Sequence, residues 1–293
     1  MSSALIDSPS IYRSCTMPDA KFQSLWQQIH VDAEIKEQLL CQALLNFSVR
    51  PRVDRAVLPL HGIILLIGPP GTGKTSLGKG LADQIARVLP KLRYLEVEPH
   101  SLASSAHGKT QKAVVELFSS TIGEQAALGP TFVLLDEVET IVADRSKLSL
   151  EANPVDVHRA TDAALVQLDH LAEQYPNLLF VATSNFPKAI DEAFKSRCDL
   201  VVTVPLPGAE ACEEILRSTV QGMSSEFPSL KAVLKDPELK AAARACVGLD
   251  GRQIRKLVAT ACTFDRHVAL DPGKLNAAMI HKAAKRAHRG EKA

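Results

Sequence analysis

The sequence predicts an α/β protein: a five-stranded parallel sheet with helices on both faces, followed by an all-helical second domain. Three observations predict it. Continuous apolar runs alternate with helical segments, the pattern of strands buried on both faces. One of those runs, Ile63–Ile67, feeds a glycine-rich turn that opens into a helix. From Gly208 onward only helical periodicity remains.

Residues 1–19 are rich in Ser and Pro and low in periodicity, so they read as a flexible N-terminal tail. Residues 20–207 read as the large α/β domain, which opens with a helical prelude. In that prelude Phe22, Leu25, Trp26 and Ile29 share one helical face, and Ile35, Leu39, Leu40 and Leu44 share another. After the Ile63–Ile67 strand, the expected strands are Arg93–Val97, Thr131–Leu135, Leu178–Thr183 and Leu200–Val204, with helices between them, Val155–Glu173 among them. Residues 208–293 read as the small helical domain, its helices punctuated by Gly248 and the Asp271-Pro272-Gly273 turn.

The turn after the first of these strands is Gly68-Pro69-Pro70-Gly71-Thr72-Gly73-Lys74-Thr75, and Ser76 follows it. Strand, glycine loop and helix in that order are what a phosphate-binding loop requires. Glycines let successive N–H groups point inward at phosphate oxygens, and the helix N-terminus adds partial positive charge. Lys74 is placed to reach the β- and γ-phosphates, and the Thr75 hydroxyl to bind Mg²⁺. The third strand ends in Asp136-Glu137, at the carboxyl end of a buried parallel strand and so beside the ligand crevice. There Asp136 can hold Mg²⁺, directly or through water, and Glu137 can polarise an attacking water. The fourth strand ends in Thr183-Ser184-Asn185, whose amide could orient that water. Arg197 precedes the fifth strand, where it cannot easily reach its own chain's phosphates but can reach a neighbouring subunit's. The plainer reading is a surface Arg–Asp pair. Gly251-Arg252 opens a helix of the second domain, and Arg252 is expected to contact the γ-phosphate from there.

Composition narrows the partners. Lys plus Arg (34) nearly balances Asp plus Glu (33), which leaves no basic field on the scale of a polyanion and argues against nucleic acid as the main partner. The six cysteines are scattered without a Cys-x-x-Cys pair, so reduced thiols in a cytoplasm are expected rather than zinc or disulfides. No signal peptide or membrane-spanning stretch is read. The basic stretch Lys282–Lys292 reads as a solvated helix end.

Taken together, these residues resemble the AAA+ ATPases from about Phe22 onward. The phosphate loop, Asp136-Glu137, Asn185, Arg197 and Gly251-Arg252 match that family's Walker A, Walker B, sensor 1, arginine finger and sensor 2. The resemblance implies ATP bound between sheet domain and helical lid, with an adenine contact near Ile29 to Val31, and a hexameric ring. Within that family, Leu134 to Arg145, Thr183 to Phe194 and Gly248 to Leu257 look like the pachytene-checkpoint, thyroid-receptor-interactor-thirteen remodellers. Those ATPases partly unfold HORMA-domain proteins, converting a closed form to an open one. Bacterial members serve cyclic-nucleotide antiphage signalling, where they free a HORMA protein from its nucleotidyltransferase. Two departures stand out: the family's separate N-terminal recognition domain is essentially absent, which favours a compact prokaryotic member. The axial pore loop reads Ser105-Ala106-His107-Gly108, with Ala106 where the family usually has an aromatic. A clamp-loader subunit acting on a DNA sliding clamp is the alternative, and a nucleotide-binding scaffold without hydrolysis is a third reading.

Overall fold

The computed structural model describes residues 10–97, 110–144 and 154–290. Six strands form one sheet in the order β1-β3-β4-β5-β2-β6. They are β1 (Ile11–Thr16), β2 (Ile63–Ile67), β3 (Arg93–Val97), β4 (Thr131–Leu135), β5 (Leu178–Ser184) and β6 (Leu200–Thr203). Strands β2 to β6 pair in parallel, and β2 is held on both sides, Leu65 opposite Ala182 and opposite Val201. Every residue of β4 and β5 is buried, as their unbroken apolar runs require.

The sheet has six strands rather than five, and it is not wholly parallel. The additional strand, β1, comes from the stretch expected to be a flexible tail and pairs antiparallel with β3. It is an edge strand with a nearly uniform half-buried pattern, so it lacks the alternation that would announce it. Side chains hold it down instead. Arg13 forms a 2.8 Å ion pair with Asp19 and lies 4.6 Å from the Phe22 ring centre. Phe22 meets Tyr94 edge-on, and Tyr94 stacks on Phe132.

Helix α1 (Ala20–Gln28) and α2 (Ala33–Val49) form the prelude, and α3 (Lys74–Val88) follows the glycine loop. Helix α4 (Thr110–Glu116) runs through a π-helical turn, Leu117–Ile122, into α5 (Gly123–Ala127). That turn sets Phe118 6.0 Å from Phe180. Helix α6 (Pro154–Gln174) buries Leu165, Leu168 and Leu171 in the same core, and the short α7 (Glu192–Lys195) precedes β6.

By its contacts the chain divides into two compact units. The second gathers the described residues from Val204 onward together with 28–31 and 69–73; the first holds the rest. The second unit contains α8 (Ala209–Met223), α9 (Glu238–Ala245), α10 (Gly251–Cys262), α11 (Arg266–Leu270) and α12 (Ala277–Gly290). Its own core is built from Leu216, Leu239, Ile254, Val258 and Ile280. Helix α10 starts with a capping box: Asp250 accepts from the Arg252 and Gln253 N–H groups, and Gln253 accepts from the Asp250 N–H. No helix among the described residues is long and apolar enough to cross a membrane.

Candidate active site

The glycine loop is shaped for an anion. Gly71 and Gly73 adopt φ of +78° and +91°, the left-handed region open to glycine. Neither position has room for a side chain. A Cβ at 71 would lie 2.2 Å from Asp250 Oδ1, and one at 73 would lie 2.6 Å from Ile29 Cδ1. Thr72 Oγ1 donates to the Pro69 carbonyl at 2.9 Å and closes the turn. Pro70 is exposed at the tip, and Ser76 and Val31 are half-buried. Lys74 is buried, and its Nζ donates to the Gly68 carbonyl at 2.8 Å. Burial lowers its pKa, while Asp136, Glu139 and Glu137 pull it back up. The ammonium therefore lies within electrostatic reach of the carboxylates at the end of β4.

Those carboxylates form a connected network. Thr75 Oγ1 donates to Asp136 Oδ1 at 2.7 Å, and Thr183 Oγ1 donates to the same oxygen. The Glu137 N–H donates to Thr183 Oγ1 at 3.2 Å, so one hydroxyl ties the two acidic residues to β5. The Asn185 side-chain amide donates to Glu137 Oε1 at 3.2 Å. The Asn185 backbone N–H donates to Glu139 Oε1 at 3.1 Å. Glu137 itself sits at φ 52°, ψ 52°, a left-handed conformation that is strained for a residue with a Cβ. The turn that follows β4 fixes it there: the Thr140 hydroxyl donates to the Glu137 carbonyl.

A hydroxyl and a carboxylate 2.7 Å apart form a hard-oxygen pair of the kind that holds Mg²⁺, which takes one or two carboxylates and leaves its other positions to water and phosphate. Glu137 accepts a direct hydrogen bond from the Asn185 amide at 3.2 Å. Lys74, Thr75, Asp136, Glu137 and Asn185 are therefore brought together.

Thr183 and Glu139 were not singled out as site residues in the sequence, yet both hold that cluster in place. A threonine at a strand end and an acid beyond Asp136-Glu137 carry no local signal of that role. Thr183→Val keeps the shape and removes the hydroxyl, and it should lower turnover about tenfold or more with a modest stability loss, since hydrogen bonds to charged groups contribute roughly 1.5–3 kcal/mol. Unchanged turnover and melting temperature would reduce Thr183 to a packing residue.

Arg197 lies elsewhere in the first unit. Its Nε and Nη2 donate to Asp169 Oδ1 and Oδ2 at 2.9 and 2.7 Å, and Nη1 donates to the Ala193 carbonyl at 2.7 Å. It is a residue of an Arg–Asp pair, with Asp169 of α6 as partner rather than its sequence neighbour Asp199. Asp199 instead caps β2, accepting from the N–H groups of His61, Gly62 and Ile63. Arg252 is exposed in the first turn of α10. The pore-loop residues Ser105, Ala106, His107 and Gly108 lie outside the described residues.

A phosphate loop, a strand-end Asp-Glu pair and an asparagine bonded to that glutamate, on a mostly parallel sheet with a helical second unit, define a P-loop ATPase. Comparison with known proteins narrows the class. Residues 64–206 match the model for the ATPase family associated with various cellular activities (AAA). CD-NTase-associated protein 6 of Pseudomonas aeruginosa is 59% identical over 94% of this chain and 92% of its own length. A pachytene checkpoint protein 2 homolog of Arabidopsis thaliana is 33% identical over 94% of this chain, which spans 66% of that relative. A chain in the structure of the E. coli MS115-1 HORMA:CdnC:Trip13 complex superposes with a TM-score of 0.75 over 95% of each chain at 17% identity, a likeness of fold. The chain belongs to the AAA ATPase family, in the group of CD-NTase-associated protein 6 and the pachytene checkpoint protein 2 homologs.

Proposed function

We propose that this ATPase assembles as a hexameric ring and uses ATP with Mg²⁺ to unfold part of a HORMA-domain partner, opening its closed form. In that role it would disassemble a complex of the HORMA protein with a nucleotidyltransferase or a gripped peptide, in the cytoplasm of a bacterium that carries a cyclic-nucleotide antiphage system. The observation that carries this reading is the 59% identity, nearly end to end, with a protein named for its association with a CD-NTase. The subfamily motifs around Asp136, Asn185 and Arg252 agree with it. The clamp-loader alternative is not favoured, since the identity runs along the remodeller group through both units.

The network around Asp136 and Glu137 supports part of the following assignment, and the family resemblance the rest. The loop from Pro70 to Ser76 would cradle the phosphates, with Lys74 on the β- and γ-phosphates and Val31 near the adenine. Thr75 and Asp136 would hold the metal, which supplies charge neutralisation on the phosphates. Glu137 would accept a proton from the attacking water while Asn185 fixes both. Arg197 would complete a neighbour's site, and Arg252 would report the γ-phosphate to the helical unit. A closed HORMA protein is held by a strand wrapped over its ligand, so rapid release needs directed work rather than equilibrium binding. The segment 105–108 would grip the substrate, with His107 beside Ala106 in place of an aromatic.

A closed HORMA–peptide complex incubated with the protein and ATP should release its peptide within minutes on size exclusion. Release that runs equally well without ATP would refute the remodelling reading.

A further inference from the structure

We propose that Asp169 is a positioning residue for Arg197: it locks the guanidinium into the orientation in which it meets the phosphates of a neighbouring subunit. The inference rests on the reading of Arg197 as a finger acting in trans. A guanidinium has five N–H donors. Asp169 takes one from Nε and one from Nη2, and the Ala193 carbonyl takes one from Nη1. Each terminal nitrogen therefore keeps one N–H, a two-pronged end that matches a pair of phosphate oxygens. A finger bound in this way is oriented without being used up.

The platform beneath it is well packed. Asp169 projects from α6, whose Leu165, Leu168 and Leu171 are buried in the sheet core. Arg55 Nη2 and His61 Nε2 both lie 3.7 Å from Asp169 Oδ1, so further basic groups surround the carboxylate. The hydrogen bonds from Arg197 hold the Asp169 carboxyl below the usual range, so it stays charged at neutral pH. The two side chains are 24% and 37% exposed, and a bidentate pair of this kind can also stabilise the fold, so melting temperature must be read beside turnover. The pair does remove rotamer freedom from a long arginine before the neighbour's nucleotide arrives, which is where an oriented catalytic group gains its advantage.

The test compares Asp169→Ala, Asp169→Asn and Asp169→Glu with Arg197→Ala and the Asp169→Ala/Arg197→Ala double variant, in the assembled full-length protein. ATP turnover, KM and melting temperature are read for each. Asp169→Ala should lower kcat about tenfold with KM within about twofold, the pattern of a misplaced group rather than lost binding. Asp169→Asn should fall between wild type and Asp169→Ala, because it keeps one acceptor, and Asp169→Glu should recover part of the loss. The double variant should be no slower than Arg197→Ala alone. If Arg197→Ala is crippled while Asp169→Ala and Asp169→Asn turn over normally or faster, the positioning role is wrong and the trans finger stands. Additive losses in the double variant would place Asp169 in some other task. Normal kcat in Arg197→Ala would remove the finger itself, and the proposal with it.

Discussion

Glu137→Gln is expected to bind ATP normally and hydrolyse it at least about a hundredfold more slowly, the scale of losing a general base. Glutamine keeps the side chain's length and its acceptor for the Asn185 amide, which bonds Glu137 Oε1 at 3.2 Å. What it loses is the basic oxygen proposed to accept the water's proton. Asp136 and Thr75 remain in place, since their 2.7 Å bond does not pass through residue 137. Steady-state phosphate release together with equilibrium binding of a fluorescent ATP analogue checks both halves. Near-normal turnover would assign the base elsewhere. The same variant, loaded with ATP, should also hold partners that the active protein releases.

The second large effect tests the proposed division of one site between two subunits. Arg197→Ala should retain ATP affinity and lose most turnover, whereas Lys74→Ala should lose affinity as well, because it removes a phosphate contact made before any chemistry. Mixed together, the two inactive proteins should recover part of the activity. Some interfaces in a mixed ring then set an intact phosphate loop against an intact Arg197. Rings shown by mass to be mixed, yet still inactive, would return Arg197 to a purely structural pairing with Asp169.

Much of this was legible in the sequence, and for identifiable reasons. The strands β2 to β5 are mostly buried runs with clear edges, β6 is an apolar run although partly exposed, and the phosphate loop pairs a motif with the strand and helix that such a motif needs. Asp136, Glu137 and Asn185 could be found because strand ends in a parallel sheet converge on one crevice. The rest depends on contacts between residues far apart in the chain. β1 has no alternation to betray it, and it is held by Arg13 reaching Asp19 and by Met17 donating to the Leu92 carbonyl. Asp169 meets Arg197 across a helix and a strand, so nothing near either residue announces the pair. Thr183 looked like the end of a strand, and only the fold sets its hydroxyl between Asp136 and Glu137.

The left-handed backbone at Glu137 carries an evolutionary consequence. A residue with a Cβ held there destabilises the fold by about 1–2 kcal/mol, a penalty that glycine escapes and asparagine partly avoids. Thermal stability and turnover therefore pull in opposite directions at this one position. A library selected only for heat resistance would drift away from glutamate at 137 and accumulate well-folded proteins that no longer hydrolyse ATP. Persistence of glutamate under such selection would mean that the network through Thr183, Thr140 and Asn185 already offsets the strain.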